Sequence, residues 1–191
     1  MPQLRHARDG QDAAHRPAPG RAGRSRARAV QGDPVSKCGL ILAAGNPARQ
    51  DDGLGPAAAE ALQDLAGVQV DCGFQYNIED CEAISRAAWV VFVDALASEG
   101  DQPWEFEPVE QVQSPGYTSH AVHPSELIAL TEEVFGMRIP AWTMGIRGRS
   151  FEMFEEGLTP EGQIHLDAAV QWLRDWTSRK QEGITPEPTT T

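Results

Sequence analysis

Apolar positions divide the chain into alternating strand-like and helix-like segments. Residues 39–44 (GLILAA) form a short apolar run that stops at Gly45, the pattern of a buried strand. Leu54, Ala58, Ala61 and Leu65 then recur at helical spacing, with Pro56 in the first turn. Val68-Gln-Val70 begins a second strand, and residues 78–87 suit a short helix with Ile78, Cys81 and Ile84 on one side. Residues 89–93 (WVVFV) are apolar without a break, which predicts a strand covered on both faces at the centre of a sheet. Trp104-Glu-Phe-Glu alternates and then meets Pro108, as an edge strand does. Pro124 opens a helix carrying Leu127, Leu130, Val134 and Phe135 before Gly136, and residues 139–146 supply the last strand. Thr159-Pro160-Glu161 is a helix start, a capping hydroxyl followed by proline at the first helical position. That helix is expected to bury Leu166, Ala169, Val170, Leu173 and Trp176. The order βαβαβ-β-αβ-α predicts a three-layer α/β domain.

The two ends of the chain break this pattern. Residues 1–36, rich in Arg, Ala, Gly and Pro, read as a disordered basic extension, and residues 181–191 as a disordered tail. The folded body is then 37–180. The net charge is −12, but the first 36 residues hold seven arginines against three aspartates, so the remainder carries −16. So acidic a body repels nucleic acid and anionic membranes, and neither is expected as a partner. The basic extension lacks aromatics for stacking and reads as a solvated tail. No run of about 18 apolar residues is present for a membrane span, and no apolar leader for secretion. Three cysteines without a CxxC pair argue against a disulfide scaffold or a zinc ribbon, and place the protein in the reducing cytoplasm.

In α/β sheets, functional residues sit where strands end and loops begin. Three segments meet that description. The first is Gly45-Asn46-Pro47-Ala48-Arg49-Gln50-Asp51-Asp52-Gly53-Leu54-Gly55. Its spacing fits neither G-x-G-x-x-G nor G-x-x-x-x-G-K-[ST], and two adjacent aspartates would repel a phosphate. They suit a cation, or they cap the following helix at about 1 kcal/mol. The second is Asp94, after the central strand, where a carboxylate is costly unless hydrogen-bonded, paired or metal-bound. It binds a cation there, or it accepts backbone N–H groups in the next turn. The third is Thr118-Ser119-His120-Ala121-Val122-His123-Pro124, where His123 adjoins the helix start and His120 is freer to face the sheet edge. Two carboxylates and an imidazole on one sheet edge make an oxygen/nitrogen site for a divalent metal, with coordination positions left open.

The motif around Gly45, Asn46, Arg49, Asp51, Asp52, Gly53 and Gly55, followed by Val93-Asp94-Ala95 and then Ser119-His120, resembles the hydrogenase maturation protease family. Phe74-Gln75 and Met144-Gly-Ile-Arg-Gly148 add to the likeness, which runs from about residue 39 to 176. The resemblance implies a twisted, mostly parallel five-stranded sheet between helices. It also implies an endopeptidase that trims the C-terminal extension from the large-subunit precursor of NiFe hydrogenases. Nickel would arrive in the precursor, held by its cysteines, and the protease would read it through Asp52, Asp94 and His120. The family often has glutamate where Asp52 stands. Asp52 and Asp94 are the candidate catalytic carboxylates of an aspartic-type, nickel-dependent hydrolase. Arg49 and Arg147 are candidate substrate anchors, against salt bridges within the acidic surface, and His123 is structural. No G-x-S-x-G elbow or H-E-x-x-H motif offers another protease mechanism. Two other readings stay open: a zinc aminopeptidase-like hydrolase, and a non-catalytic nickel-sensing module that binds the precursor.

Overall fold

β1 (Gly39–Ala44) is buried along its whole length because it lies inside a five-stranded sheet, between β2 (Val68–Gly73) and β3 (Trp89–Leu96). The full order is β2-β1-β3-β5-β4, with β4 spanning Trp104–Pro108 and β5 spanning Ala141–Arg147. β1 pairs in parallel with β2 and β3, β3 pairs in parallel with β5, and β4 runs antiparallel at the edge. The fold is therefore a mostly parallel five-stranded α/β sheet: the element order predicts the α/β class, and the family resemblance implies the five mostly parallel strands. Pro108 ends the edge strand, where no ladder hydrogen bond is lost. The computed structural model describes residues 38–110 and 122–183. The basic extension, the segment 111–121 and the tail beyond residue 183 lie outside the described residues.

β3 differs from expectation in one respect that matters for function. The apolar run ends at Val93, but the strand continues through Asp94, Ala95 and Leu96. Its neighbour β5 carries on beside it, pairing Asp94 with Gly145 and Leu96 with Arg147. On the other side β1 pairs only as far as Ala43 opposite Val93. The last residues of β3 thus have a strand on one side and a trough on the other.

Alternation along the strands divides the core in two. Ile41, Val91, Val93 and Met144 face α1 (Leu54–Leu62) and α4 (Pro160–Gln181). Trp176, fully buried, meets Trp89 edge to face at 5.1 Å between ring centroids. Leu40, Leu42, Val90 and Phe92 face α2 (Asp80–Arg86) and α3 (Pro124–Phe135). Each fully buried aliphatic side chain contributes about 1.5–3 kcal/mol. Thr159 caps α4 as its sequence predicts, accepting from the Gly162 N–H at 3.0 Å.

Some assigned core positions are not core. Ile78 precedes α2 and is exposed, as are Val134 and Phe135 at the end of α3. In α3 the stripe against the sheet is Leu127, Ile128 and Thr131. Thr131 occupies an apolar position because its hydroxyl donates back to the Leu127 carbonyl at 2.7 Å. Val170 and Leu130 are half-buried rather than enclosed. Among the described residues no helix is long and apolar enough to cross a membrane.

Candidate functional site

The chain turns sharply where β1 ends. Gly45 has φ +144°, and a Cβ there would lie 2.0 Å from the Asp52 carbonyl oxygen. Only glycine permits this closeness, which folds a 3₁₀ turn (Gln50–Gly53) back over the strand end. The Asp52 carboxylate then accepts the Asn46 N–H at 3.1 Å, and Arg49 stands 3.7 Å from the same oxygen.

Asp94 reaches the same place from β3. Strand alternation puts its side chain on the Phe92 face, and its carboxylate accepts the Ala95 N–H at 2.7 Å. Burial pushes the Asp94 carboxyl up to about 6, against the lowering pull of the Ala95 N–H, and the negative charge of Asp52 pushes the same way as burial. Asp52 and Asp94 both line a cavity of about 650 Å³ at the C-terminal ends of the parallel strands. Arg49, Phe74, Tyr76 and His123 line it as well. Phe74 is 76% exposed, an aromatic ring at the mouth without a packing role.

The cavity sits where sequence reasoning puts it, but several of its neighbours act differently. Asp51 does not cap a helix. It is fully buried, and its carboxylate accepts from Arg149 N, Ser150 N, Thr159 N and the Thr159 hydroxyl at 2.7–3.2 Å. Burial pushes this carboxyl up, but the hydrogen bonds together outweigh it and hold the group below its ordinary value. Asp51 therefore ties the motif loop to the segment leading into α4. Asp52 is no helix cap either, since neither the 3₁₀ turn nor α1 has a side-chain cap at its start.

Arg147 is not available to a substrate. It is 1% exposed and its guanidinium donates to Gln102 O, Ser98 O, the Ser98 hydroxyl and Glu105 at 2.5–2.7 Å. Of the two alternatives for this residue, the internal salt bridge is the observed one. Arg49 does face the cavity, with a buried Nε that has no partner among the described residues. His123 is the N-cap of α3, accepting the Ser125 N–H while Glu126 accepts the His123 N–H in return. His120 lies outside the described residues.

Tyr76 is the site residue that sequence reasoning missed. It is buried, and its hydroxyl donates to the Val93 carbonyl at 3.0 Å, immediately before Asp94. Burial first, then the charges of Asp94 and Asp80, push that hydroxyl well up, so it remains a donor. Its place just after β2, on the edge where strands end, is the signal that could have found it.

Among the described residues no three His, Cys, Asp or Glu side chains converge as a metal shell. Asp52 and Asp94 nonetheless fit a cation: they share a cavity, and the negative charge of one raises the pKa of the other. A cation between them would relieve that repulsion. Two carboxylates alone would make only a partial shell for a metal.

No protein-family model matches the chain, and no curated protein matches it by sequence. Solved structures do. The hydrogenase maturating endopeptidase HybD from E. coli is 18% identical, with a TM-score of 0.61 over 80% of this chain and 98% of that one. The NiFe hydrogenase maturation protease HycI from Thermococcus kodakarensis KOD1 is 19% identical, with a TM-score of 0.59 over 74% of this chain and 93% of that one. The endopeptidase HycI from Escherichia coli is 22% identical, with a TM-score of 0.55 over 73% and 90%. The chain has the fold of these proteins across nearly their whole length.

Proposed function

We propose that this protein is an endopeptidase of hydrogenase maturation, which removes the C-terminal extension of a nickel-loaded NiFe hydrogenase large-subunit precursor. The observation that carries the reading is the convergence of Asp52 and Asp94 in one cavity at the strand ends. Those are the two carboxylates that the sequence motifs single out, and proteins of the same fold include hydrogenase maturation endopeptidases.

In this reading nickel is cargo, held by the precursor's cysteines. Asp52, Asp94 and His120 contact it, so that cleavage follows correct loading. Asp94, whose carboxyl is raised to about 6 before the cargo arrives, acts as the general base for the attacking water through the oxygen that does not contact the nickel. Asp52 supplies the second negative charge. Tyr76 holds the Val93 carbonyl and so fixes the strand from which Asp94 projects. Arg49 lines the cavity with a part-exposed side chain, so its guanidinium can donate to a backbone carbonyl or carboxylate of the precursor. The setting is the cytoplasm, where the thiols of Cys38, Cys72 and Cys81 stay reduced.

The test is incubation of the purified protein with nickel-loaded and nickel-free precursor. A size shift of the loaded precursor alone supports the proposal. A stable complex without a size shift identifies a nickel-sensing binding module. Stoichiometric zinc in the purified protein, with cleavage independent of nickel, identifies a zinc hydrolase.

A further inference from the structure

A second groove, of about 730 Å³, runs beside the edge strand β4. One wall is aromatic: Trp104, Phe106 and Trp172, with Trp172 lying 4.8 Å from Trp104 and 4.5 Å from Phe106 between ring centroids. The loop before β4 adds the acidic Glu99 and Asp101, while Glu105 and Glu107 border the groove from the opposite face of β4, since Trp104 and Phe106 pack on the α4 side. Among the described lining residues the one cation is Arg147, and it is enclosed and fully engaged. It neutralises Glu105, leaving the other three carboxylates without an ion pair among the described residues.

The groove is a built feature. Arg147 pins the loop that follows β3 from beneath, through the Ser98 and Gln102 carbonyls. That loop passes so close that a Cβ at Gly100 would meet the guanidinium carbon at 2.8 Å. A buried cation thus fixes the loop that brings Glu99 and Asp101 into the same groove as the aromatic wall. An aromatic face beside unpaired carboxylates is the surrounding that a guanidinium prefers. It stacks flat on an indole while its N–H groups donate to the carboxylates. An ammonium is more strongly hydrated and stacks less well.

The groove also joins the first cavity. Glu105 and Glu107 line both. In register across the sheet, Asp94, Gly145 and Glu105 form one row, with no side chain on the middle residue. That row lies on the Asp94 face, with Leu96 packed beside Gly145, so an extended peptide held at Asp94 approaches the outer edge of β4, which the groove borders.

We propose that the groove formed by Trp104, Trp172, Glu99 and Asp101 is a binding subsite for an arginine side chain of the polypeptide substrate. The assignment of that arginine to the precursor rests on the protease reading; the guanidinium site itself does not.

The experiment follows the indole N–H signals of Trp104 and Trp172 by NMR in the full chain during titration with acetyl-Gly-Arg-Gly-amide. The citrulline peptide, equal in shape but uncharged, is the control. Both indoles should shift saturably with arginine, and citrulline should bind about tenfold more weakly or worse. Combining Glu99→Gln and Asp101→Asn should weaken the arginine peptide about tenfold while the indole signals stay dispersed as in a folded protein. Asp94→Asn, which the protease reading requires to be inactive, should leave peptide binding unchanged. Equal binding of citrulline, no saturable shift at millimolar peptide, or indifference to the double charge change would overturn the subsite. In the cleavage assay the arginine peptide should raise the KM for precursor and leave kcat alone. Binding without that competition would overturn its assignment to the substrate, while a protein that binds the peptide and cleaves no precursor refutes the protease reading alone.

Discussion

Replacing Asp51 with asparagine removes one acceptor oxygen from a buried carboxylate that receives four hydrogen bonds. Oδ2 accepts from Arg149 N, Ser150 N and the Thr159 hydroxyl, and Oδ1 accepts from Thr159 N. The least disruptive placement of the amide keeps its oxygen at Oδ2 and points its NH₂ at the Thr159 N–H. One buried backbone donor then loses its acceptor, at about 1–3 kcal/mol. The remaining bonds change from charge-assisted to neutral, which roughly halves their strength. The expected loss is about 3 kcal/mol, or a fall in Tm of roughly 6–12 °C for a domain of this size. The neighbouring Asp52→Asn change should cost less than about 1 kcal/mol, because that carboxylate accepts the Asn46 N–H, meets Arg49 only in a long, part-exposed ion pair, and faces a cavity. Urea and thermal unfolding of the two variants decide the matter. The folded-state pKa of Asp51 is lowered, so its stabilisation is present above the ordinary 3.8 and is lost as pH falls through the folded value. The gap between wild type and Asp51→Asn should therefore narrow in acid. An Asp51→Asn protein that melts with the wild type, or an Asp52→Asn protein that melts far below it, would refute the division of roles between them.

The remaining predictions concern the two cavities and their supports. Asp94 titrates near 6 in the fold and near 3.8 unfolded, so its charge opposes folding as pH rises through that window. Asp94→Asn should abolish cleavage yet unfold about 2–3 kcal/mol later than wild type in urea at pH 8, the gain vanishing below pH 4. For the same reason, wild-type cleavage should fall as pH drops through about 6 if the ionised carboxylate is the base, and a flat pH profile would remove Asp94 from that role. Arg147→Met strips the Ser98 and Gln102 carbonyls of their donor, so amide exchange in the loop at 97–103 should accelerate at a cost of about 3 kcal/mol. His123→Ala should keep activity and lose about 1 kcal/mol of helix capping, whereas His120→Ala should lose processing with its melting curve nearly unmoved.

The fold was legible because its signals are local and repeated. An unbroken apolar run marks β3 as central, and a Thr-Pro pair marks where α4 begins. Strand ends and helix faces were less legible. β3 continues through Asp94 because β5 pairs with it there, a long-range fact that no window around residue 94 contains. Val134 and Phe135 match the helical period of α3 and still face solvent, because the sheet meets that helix over its first two turns. At the cavity, Asp94 and the loop after β1 were readable from the rule of strand ends, while Asp52 was separated from Asp51 by the family resemblance. Asp51 and Asp52 are chemically identical neighbours, and only the donors of residues 149, 150 and 159 separate their roles. Arg147 likewise looks like any surface arginine until the loop that wraps it is known.

The tie between Asp51 and the start of α4 also sets when the protein becomes competent during synthesis. The carboxylate leaves the ribosome well before its donors, which follow it by 98 to 108 residues. β1, β2 and β3 can associate while the rest of the chain is still being made. The motif loop cannot be fixed over their ends until Thr159 has emerged and α4 has docked. The nascent sheet therefore exposes two carboxylates in an unshaped cleft and gains a shaped one only as translation finishes. A ribosome-bound chain halted before residue 159 should hold the sheet but leave the amides of residues 49–52 in fast exchange.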